Sequence, residues 1–267
     1  LLATQRRPEV PDIRDIFEGS ATEPQFDGFF RSHGDLDPTA QCIVEPATGA
    51  TIRYTTSRNR WQGHSPRIRE IRASAYLAND LRPACWIRFD VIEAGRVDVT
   101  DDDFCYACDV VSHSLEQLAS GLVETAAEDI SRVLERGPII YLEGLELRHD
   151  LKGSRLGVIV AKHLLDVLVS RHSPALLVLC PYPLQFESRR FEQAIEHAVL
   201  QKSEHLFEGG RQNLIALFER EFWVSRLGKN SDYWGTSLSG FGFIQGPSGW
   251  SIYQHGKHSR TEWRKSS

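Results

Sequence analysis

Apolar residues recur along the chain with two different periods, near two and near 3.6, and the switches between them divide it into elements. Residues 1–40 show neither period. Pro8, Pro11, Gly19, Pro24, Gly28 and Gly34 are interspersed with charges and single aromatics there, which predicts an irregular arm. Short strands are expected at Gln41–Glu45 and Thr51–Thr56, joined as a hairpin through Pro46-Ala47-Thr48-Gly49. Ser65–Leu81 reads as a helix, with Ile68, Ile71, Ala75 and Tyr76 at helical spacing behind Pro66. Ala84–Ile92 alternates around Trp86, Phe89 and Val91 and reads as a strand, with Gly95–Val99 as its expected partner. Ser112–Glu135 carries Leu115, Leu118, Leu122, Ala126, Ile130, Val133 and Leu134 as one stripe. That predicts a single amphipathic helix, capped by Ser112 or Ser114 and stopped at Gly137-Pro138.

The next stretch has the clearest pattern. Ile139–Leu147 has strand length and is mostly apolar. Gly157–Arg171 is helical, with Ala161, Leu164, Leu165 and Leu168 on one face. Ala175–Cys180 is wholly apolar, as expected of a strand covered on both faces. Strand, short turn, helix, strand is a βαβ unit, whose two strands must run parallel. Beyond Pro181-Tyr182-Pro183 two further helices are expected, Ser188–Phe207 and Asn213–Leu227, separated at Gly209-Gly210 and closed by Gly228. Two short strands are expected within Gly240–Tyr253. The fold class is therefore α/β, mixed α+β: a central mixed sheet flanked by helices, with an extra N-terminal segment.

Composition narrows the function classes. A net charge of −5 disfavours a protein built to grip nucleic acid. Lys162, His163 and Asp166 interrupt the best apolar run, and the first residues lack a secretory apolar core. A cytoplasmic protein with no membrane partner is expected. Five scattered cysteines agree with that, and Cys105-x-x-Cys108 has no second pair at zinc-site spacing. Met is absent from the chain, an unusual composition.

The candidate chemistry lies in the turn Arg148-His149-Asp150-Leu151-Lys152-Gly153-Ser154-Arg155-Leu156-Gly157. Backbone N–H groups gathered at a helix start, with the helix dipole and nearby cations, make an anion site suited to a diphosphate. Gly157 is followed by Val158-Ile159, so the P-loop pattern is absent, and so is G-x-G-x-x-G. Lys152-Gly153-Ser154-Arg155-Leu156-Gly157 instead resembles the coenzyme A diphosphate loop of the GNAT acetyltransferases, Arg/Gln-x-x-Gly-x-Gly/Ala. It keeps the basic first position, the apolar fifth and the last Gly, and departs at the fourth, where Arg155 stands for Gly. The resemblance covers residues 139–180 well and 210–253 in outline.

That resemblance implies an acyltransferase domain over residues 81–267, preceded by an N-terminal arm and small accessory region over 1–80. The co-substrate would be acetyl-CoA and the acceptor an amine of a small molecule or protein. In this family the pantetheine slots between the strand before the loop and the next strand, which splay apart. The coenzyme-binding residues implied are Leu147, Lys152, Gly153, Ser154, Arg155, Leu156 and Gly157. Amides near Leu147 would polarise the thioester carbonyl, a contribution of about 3–4 kcal/mol. Glu143 and Glu146 are the candidate bases, because partial burial raises a carboxylate pKa toward working pH. The family often protonates the departing thiolate with a Tyr, where this chain has Phe222-Trp223-Val224; Tyr233 and Tyr182 are the nearby substitutes. Tyr182, Gln185 and Glu187 lie at the carboxyl end of the second strand, where a ligand or a simple change of chain direction would each account for the two prolines. A catalytically inactive acyl-CoA-binding or interaction module is the alternative implied by Arg155 and the missing Tyr.

Overall fold

The computed structural model describes residues 40–57, 66–94, 99–126, 129–151, 153–168, 175–182, 197–229, 231–238, 241–246 and 249–254. The described residues all fall in one compact unit, Ala40–Ser267. It is a mixed α+β fold. Strands β1 (Gln41–Val44), β2 (Thr51–Thr56), β3 (Arg67–Tyr76) and β4 (Cys85–Glu93) form an antiparallel run. Helices α1 (Asp101–Val111), α2 (His113–Thr125) and α3 (Ile130–Arg136) follow, then β5 (Ile139–Leu147). A short 3₁₀ turn leads to α4 (Leu156–Leu168), then β6 (Ala175–Leu179), α5 (His197–Phe222), β7 (Ser225–Arg226) and β8 (Trp234–Leu238). These eight strands make one sheet in the order β1-β2-β3-β4-β5-β6-β8-β7, with β5 and β6 its parallel pair. β9 (Phe241–Gly246) and β10 (Gly249–Gln254) form a separate antiparallel hairpin.

Each face of the sheet carries its own core. On one, Ile71, Ala73, Ile87, Phe89, Ile140, Leu142 and Leu177 pack beneath α4 and the end of α5. On the other, Ile68, Ile92, Ile139, Tyr141, Leu176 and Val178 pack beneath α1, α2 and α3. Two covered faces explain the apolar hexamer at β6, whose five strand residues are all buried.

The sequence expectations hold for the hairpin, for β4, β5, α4 and β6, and for the parallel crossover. Ser65–Leu81 is not a helix; its core is the ten-residue strand β3. Ile68 and Ile71 mimic helical spacing because they serve opposite faces, Ile68 in one core and Ile71 in the other. Pairing with both β2 and β4 overrides the local pattern. Residues 41–76 thus supply three strands to the same sheet as β4 to β8.

Helix Ser112–Glu135 divides in two, and a further helix precedes it. Thr100 begins α1 with a capping box: its hydroxyl accepts from the Asp103 amide at 3.1 Å, and the Asp103 carboxylate accepts from the Thr100 amide at 3.2 Å. Ser112 closes α1 in an extended conformation and opens α2, accepting from the Leu115 amide at 3.3 Å. Ala126 is extended and ends α2, and the first amide of α3, that of Ile130, donates to Asp101 at 3.1 Å. The two helices expected after Pro183 resolve as one, α5, which runs through Gly209-Gly210. Leu214, Leu217, Phe218 and Phe222 dock it on the core, offsetting the roughly 1 kcal/mol that each helical Gly costs. Residues 1–39, the expected pairing at 95–98, and 188–196 lie outside the described residues.

Candidate functional site

The site grows from a fork between β5 and β6. Their parallel pairing runs from Ile139↔Leu176 to Leu142↔Leu179 and stops, while β5 continues to Leu147 against β4 alone. Burial follows the pairing: Ile139–Leu142 are buried, Glu143–Leu147 only half so. Along that second half, the backbone groups turned away from β4 have no strand partner among the described residues. Opposite the fork, β4 and β5 carry a bulge. Arg88 pairs with Gly144 and Phe89 with Leu142, leaving Glu143 as the extra residue.

The loop closes the end of β5. Arg148 anchors its base: the amide donates to Ala84 O at 3.0 Å, and the guanidinium pairs with Asp80 and Asp150, each at 2.7 Å. Hydrogen bonds to Asp150, partly offset by burial, raise the Arg148 pKa. Gly153 has φ +81° and Arg155 φ +60°. A Cβ on Gly153 would meet nothing, so the left-handed backbone alone selects Gly there. Gly157 answers a different demand. A Cβ there would come within 3.2 Å of Leu145 Cδ1 and 3.7 Å of Cys85 Sγ, so the first turn of α4 lies close on β4 and β5. Leu156 is buried and Ser154 exposed. The first-turn amides of α4 lack intrahelical acceptors, as at any helix start, and they face the same end as the loop. Lys152 lies outside the described residues.

Arg155 does not extend over the loop. Its guanidinium pairs with Glu221 of α5 at 2.7 Å. Lys162 Nζ, from α4, and Arg220 Nε reach the same carboxylate at 3.2 and 3.1 Å. Burial acts to raise the Glu221 pKa, but hydrogen bonds from Arg155, Arg220 and Lys162 prevail and hold it at about 2.

The two carboxylates of β5 part ways. Glu143 turns toward α2, where its carboxylate pairs with Arg88 Nε at 2.6 Å and accepts from Ser114 Oγ at 3.1 Å. Arg88 also pairs with Glu70 at 2.7 Å, and Glu70 with Arg72 at 2.8 Å. Glu143 is therefore part of an ion network crossing β3, β4 and β5. Glu146 lies further out along β5, opposite Trp86, and is half-buried.

Tyr233 arrives on the same face as Glu143. Its ring packs edge-on against Tyr141, with centroids 6.3 Å apart, and fills the space over Gly121 of α2. Leu179↔Trp234 is the last register pair of β6 and β8, so Tyr233 stands beside Cys180, where β6 leaves β5. Burial first, then electrostatic coupling to Cys180 and Asp232, raises the Tyr233 pKa and keeps its hydroxyl protonated. Burial likewise pushes the Cys180 thiol up to about 11. Leu147 ends β5 opposite Cys85, partly buried against the core.

The fold thus brings Glu143 and Tyr233 to the fork on the α2 side, and Gly153, Ser154, Arg155, Leu156 and Gly157 to its open end. Tyr182 is exposed and stacks edge-on with Phe207 of α5 at 5.2 Å. Gln185 and Glu187 lie outside the described residues. No metal-binding group of His, Cys, Asp and Glu occurs among the described residues, and none of their helices is long and apolar enough to cross a membrane. Sequence reasoning missed Glu221, Arg88, Ser114 and Cys180. The first three act through partners 29 to 66 residues away in sequence or on other strands, which no local pattern encodes. Cys180 had a signal, as the residue just past an apolar strand. No protein-family model matches the chain, and no curated protein or solved structure matches it either.

Proposed function

We propose that the chain is an acyltransferase that binds acetyl-CoA in the β5–β6 fork and passes the acetyl group to an amine. The observation that carries this reading is the parting of two parallel strands after Leu142↔Leu179, with the crossover loop at the open end. This is the arrangement that the resemblance of Lys152–Gly157 to the GNAT diphosphate loop calls for. The left-handed backbone at Arg155 adds support, since the family's loop has Gly at that position. The reading extends to a GNAT-type fold and to a cytoplasmic setting.

In this reading the diphosphate sits at the amides of Gly153, Arg155, Gly157 and Val158, because the Ser154 amide already donates to Leu151 O at 3.1 Å and the Leu156 amide to Ser154 Oγ at 3.4 Å. The pantetheine passes through the fork from the α4 face toward the α2 face. Along Glu143–Leu147, the edge turned away from β4 meets no strand among the described residues, and its amides are at hand for the thioester carbonyl. Tyr233 is the candidate donor to the leaving thiolate in this reading, although burial, by raising its pKa, makes it a weaker acid for that step. Of the two carboxylates, Glu143 is held by Arg88 and Ser114 and is suited to orienting an acceptor, and Glu146, half-buried opposite Trp86, is the candidate base in this reading.

A second reading, a coenzyme-binding module without turnover, is favoured by Trp223-Val224 at the family's usual Tyr and by the engagement of Glu143 with Arg88. Calorimetry with acetyl-CoA, followed by a thiol-release screen over small-molecule and peptide amines, separates the two. Micromolar binding with thiol release supports the enzyme. Binding with no release over the whole panel supports the module, and no heat of binding removes both.

A further inference from the structure

Arg155 poses a physical question that the coenzyme reading leaves open. An L-residue at φ +60° is disfavoured by contact between its Cβ and its own backbone, a penalty that Gly escapes. A strained conformation of this kind persists only where surrounding structure over-determines it. The surrounding structure here is specific. The Arg155 guanidinium reaches across to Glu221, near the end of α5 and 66 residues away, at 2.7 Å. Glu221 is itself fixed: its side chain is 3% exposed and also holds Lys162 of α4 at 3.2 Å and Arg220 at 3.1 Å. Lys162 in turn lies over the Phe222 ring, 5.9 Å from its centroid. One buried carboxylate thereby joins the loop, α4 and α5.

We infer that Glu221 is a positioning residue that holds the Arg155 backbone in the left-handed conformation, and so presets the loop for a diphosphate, without touching the ligand. The inference rests on the coenzyme reading of the loop. It explains how the chain tolerates Arg where a glycine would be free of strain: the side chain that causes the strain also supplies the tie that maintains it. It also assigns the guanidinium a place away from the amides, so that the amides, not the Arg155 charge, face the ligand. Direct clamping of phosphate by Arg155 is the competing possibility.

Two substitutions at one position separate these roles. Arg155→Ala removes the tie to Glu221 but keeps a Cβ and its aversion to positive φ. Arg155→Gly removes both. Either variant removes the charge equally. Arg155 is half-exposed, so both variants are expected to fold, which circular dichroism checks. If Glu221 acts by holding the backbone, untying an Ala leaves the binding conformation only fractionally populated, and apparent affinity falls by that fraction. The left-handed penalty corresponds to a loss of about tenfold. Titration with acetyl-CoA should therefore find Arg155→Gly binding about tenfold more tightly than Arg155→Ala. Equal affinities in the two variants would overturn the inference, whether both are weakened, as for a direct phosphate contact, or both are unaffected. A second arm uses Glu221→Gln, which should weaken binding in the otherwise unaltered chain. It should have no further effect in the Arg155→Gly background, even where both carry the same loss of melting temperature. A purely structural Glu221 would lower both affinities alike. Absence of acetyl-CoA binding by the unaltered protein would instead remove the coenzyme reading itself, an outcome distinct from all of these.

Discussion

Ile139–Leu142 and Glu143–Leu147 are two halves of one strand with opposite surroundings. The first half is Ile-Ile-Tyr-Leu, buried throughout and paired on both edges. The second is Glu-Gly-Leu-Glu-Leu, half-buried and, among the described residues, paired on one edge only. Where both neighbours are present, every side chain meets a core on one face or the other. Once β6 leaves, carboxylates and a glycine become affordable, because water or a ligand can satisfy what a neighbouring strand no longer does. A strand that changes composition halfway thus marks the point where a sheet opens, and in this molecule the unabsorbed chemistry gathers there: Glu143, Tyr233, Cys180 and the glycine loop.

The largest expected contrast comes from truncating equivalent leucines on either side of the opening. Leu177→Ala, at a fully buried position in the closed region, should cost about 2–5 kcal/mol in urea unfolding. Leu147→Ala, at the half-buried end of β5, should cost about 1 kcal/mol. Equal losses would mean that the two regions are packed alike. Next comes the ion network beside the bulge. Arg88→Met would leave Glu70 and Glu143 facing each other without their shared cation, at a cost of about 3 kcal/mol near neutral pH.

Glu221 ties stability to pH. Its folded pKa of about 2 lies below the ordinary 4.5, so its contribution is present above 4.5 and is lost as pH falls from there toward 2. With Arg155 and Arg220 largely exposed and screened, that contribution should be about 1–2 kcal/mol. Acid unfolding of Glu221→Gln should lack this part of the decline, and a full-sized decline in that variant would assign it to other groups. The smallest contrast is between two glycines with open space around them. Gly153→Ala should cost about 1 kcal/mol for its positive φ. Gly144→Ala, where φ is not positive, should stay within about 0.5 kcal/mol.

Periodicity made the crossover legible. The bounds of β5 follow from its apolar run between Gly137-Pro138 and the charged loop, and β6 from a hexamer too apolar to face water. Strand β3 was illegible for a physical reason. Its two faces enter different cores, so its apolar residues follow neither simple alternation nor one stripe, and Glu70 and Arg72 look solvent-facing until Arg88 is placed between β3 and β5. Helix α1 was legible and missed: Thr100 followed by three aspartates is an N-terminal signal with a capping box inside it. Gly209-Gly210 misled in the other direction, because tertiary packing at Leu214 to Phe222 outweighs local propensity. At the site, the glycines and Arg155 could be read from spacing, while the fork itself could not. Where a strand parts from its neighbour depends on register, and register emerges only once both strands sit in the sheet.

Amide hydrogen exchange with and without acetyl-CoA addresses the fork most directly. Added coenzyme should slow exchange at Glu143–Leu147 and at 153–159, and leave the already paired Ile139–Leu142 unchanged. Protection elsewhere on the molecule, with those two segments exchanging as fast as before, would contradict a coenzyme seated between β5 and β6.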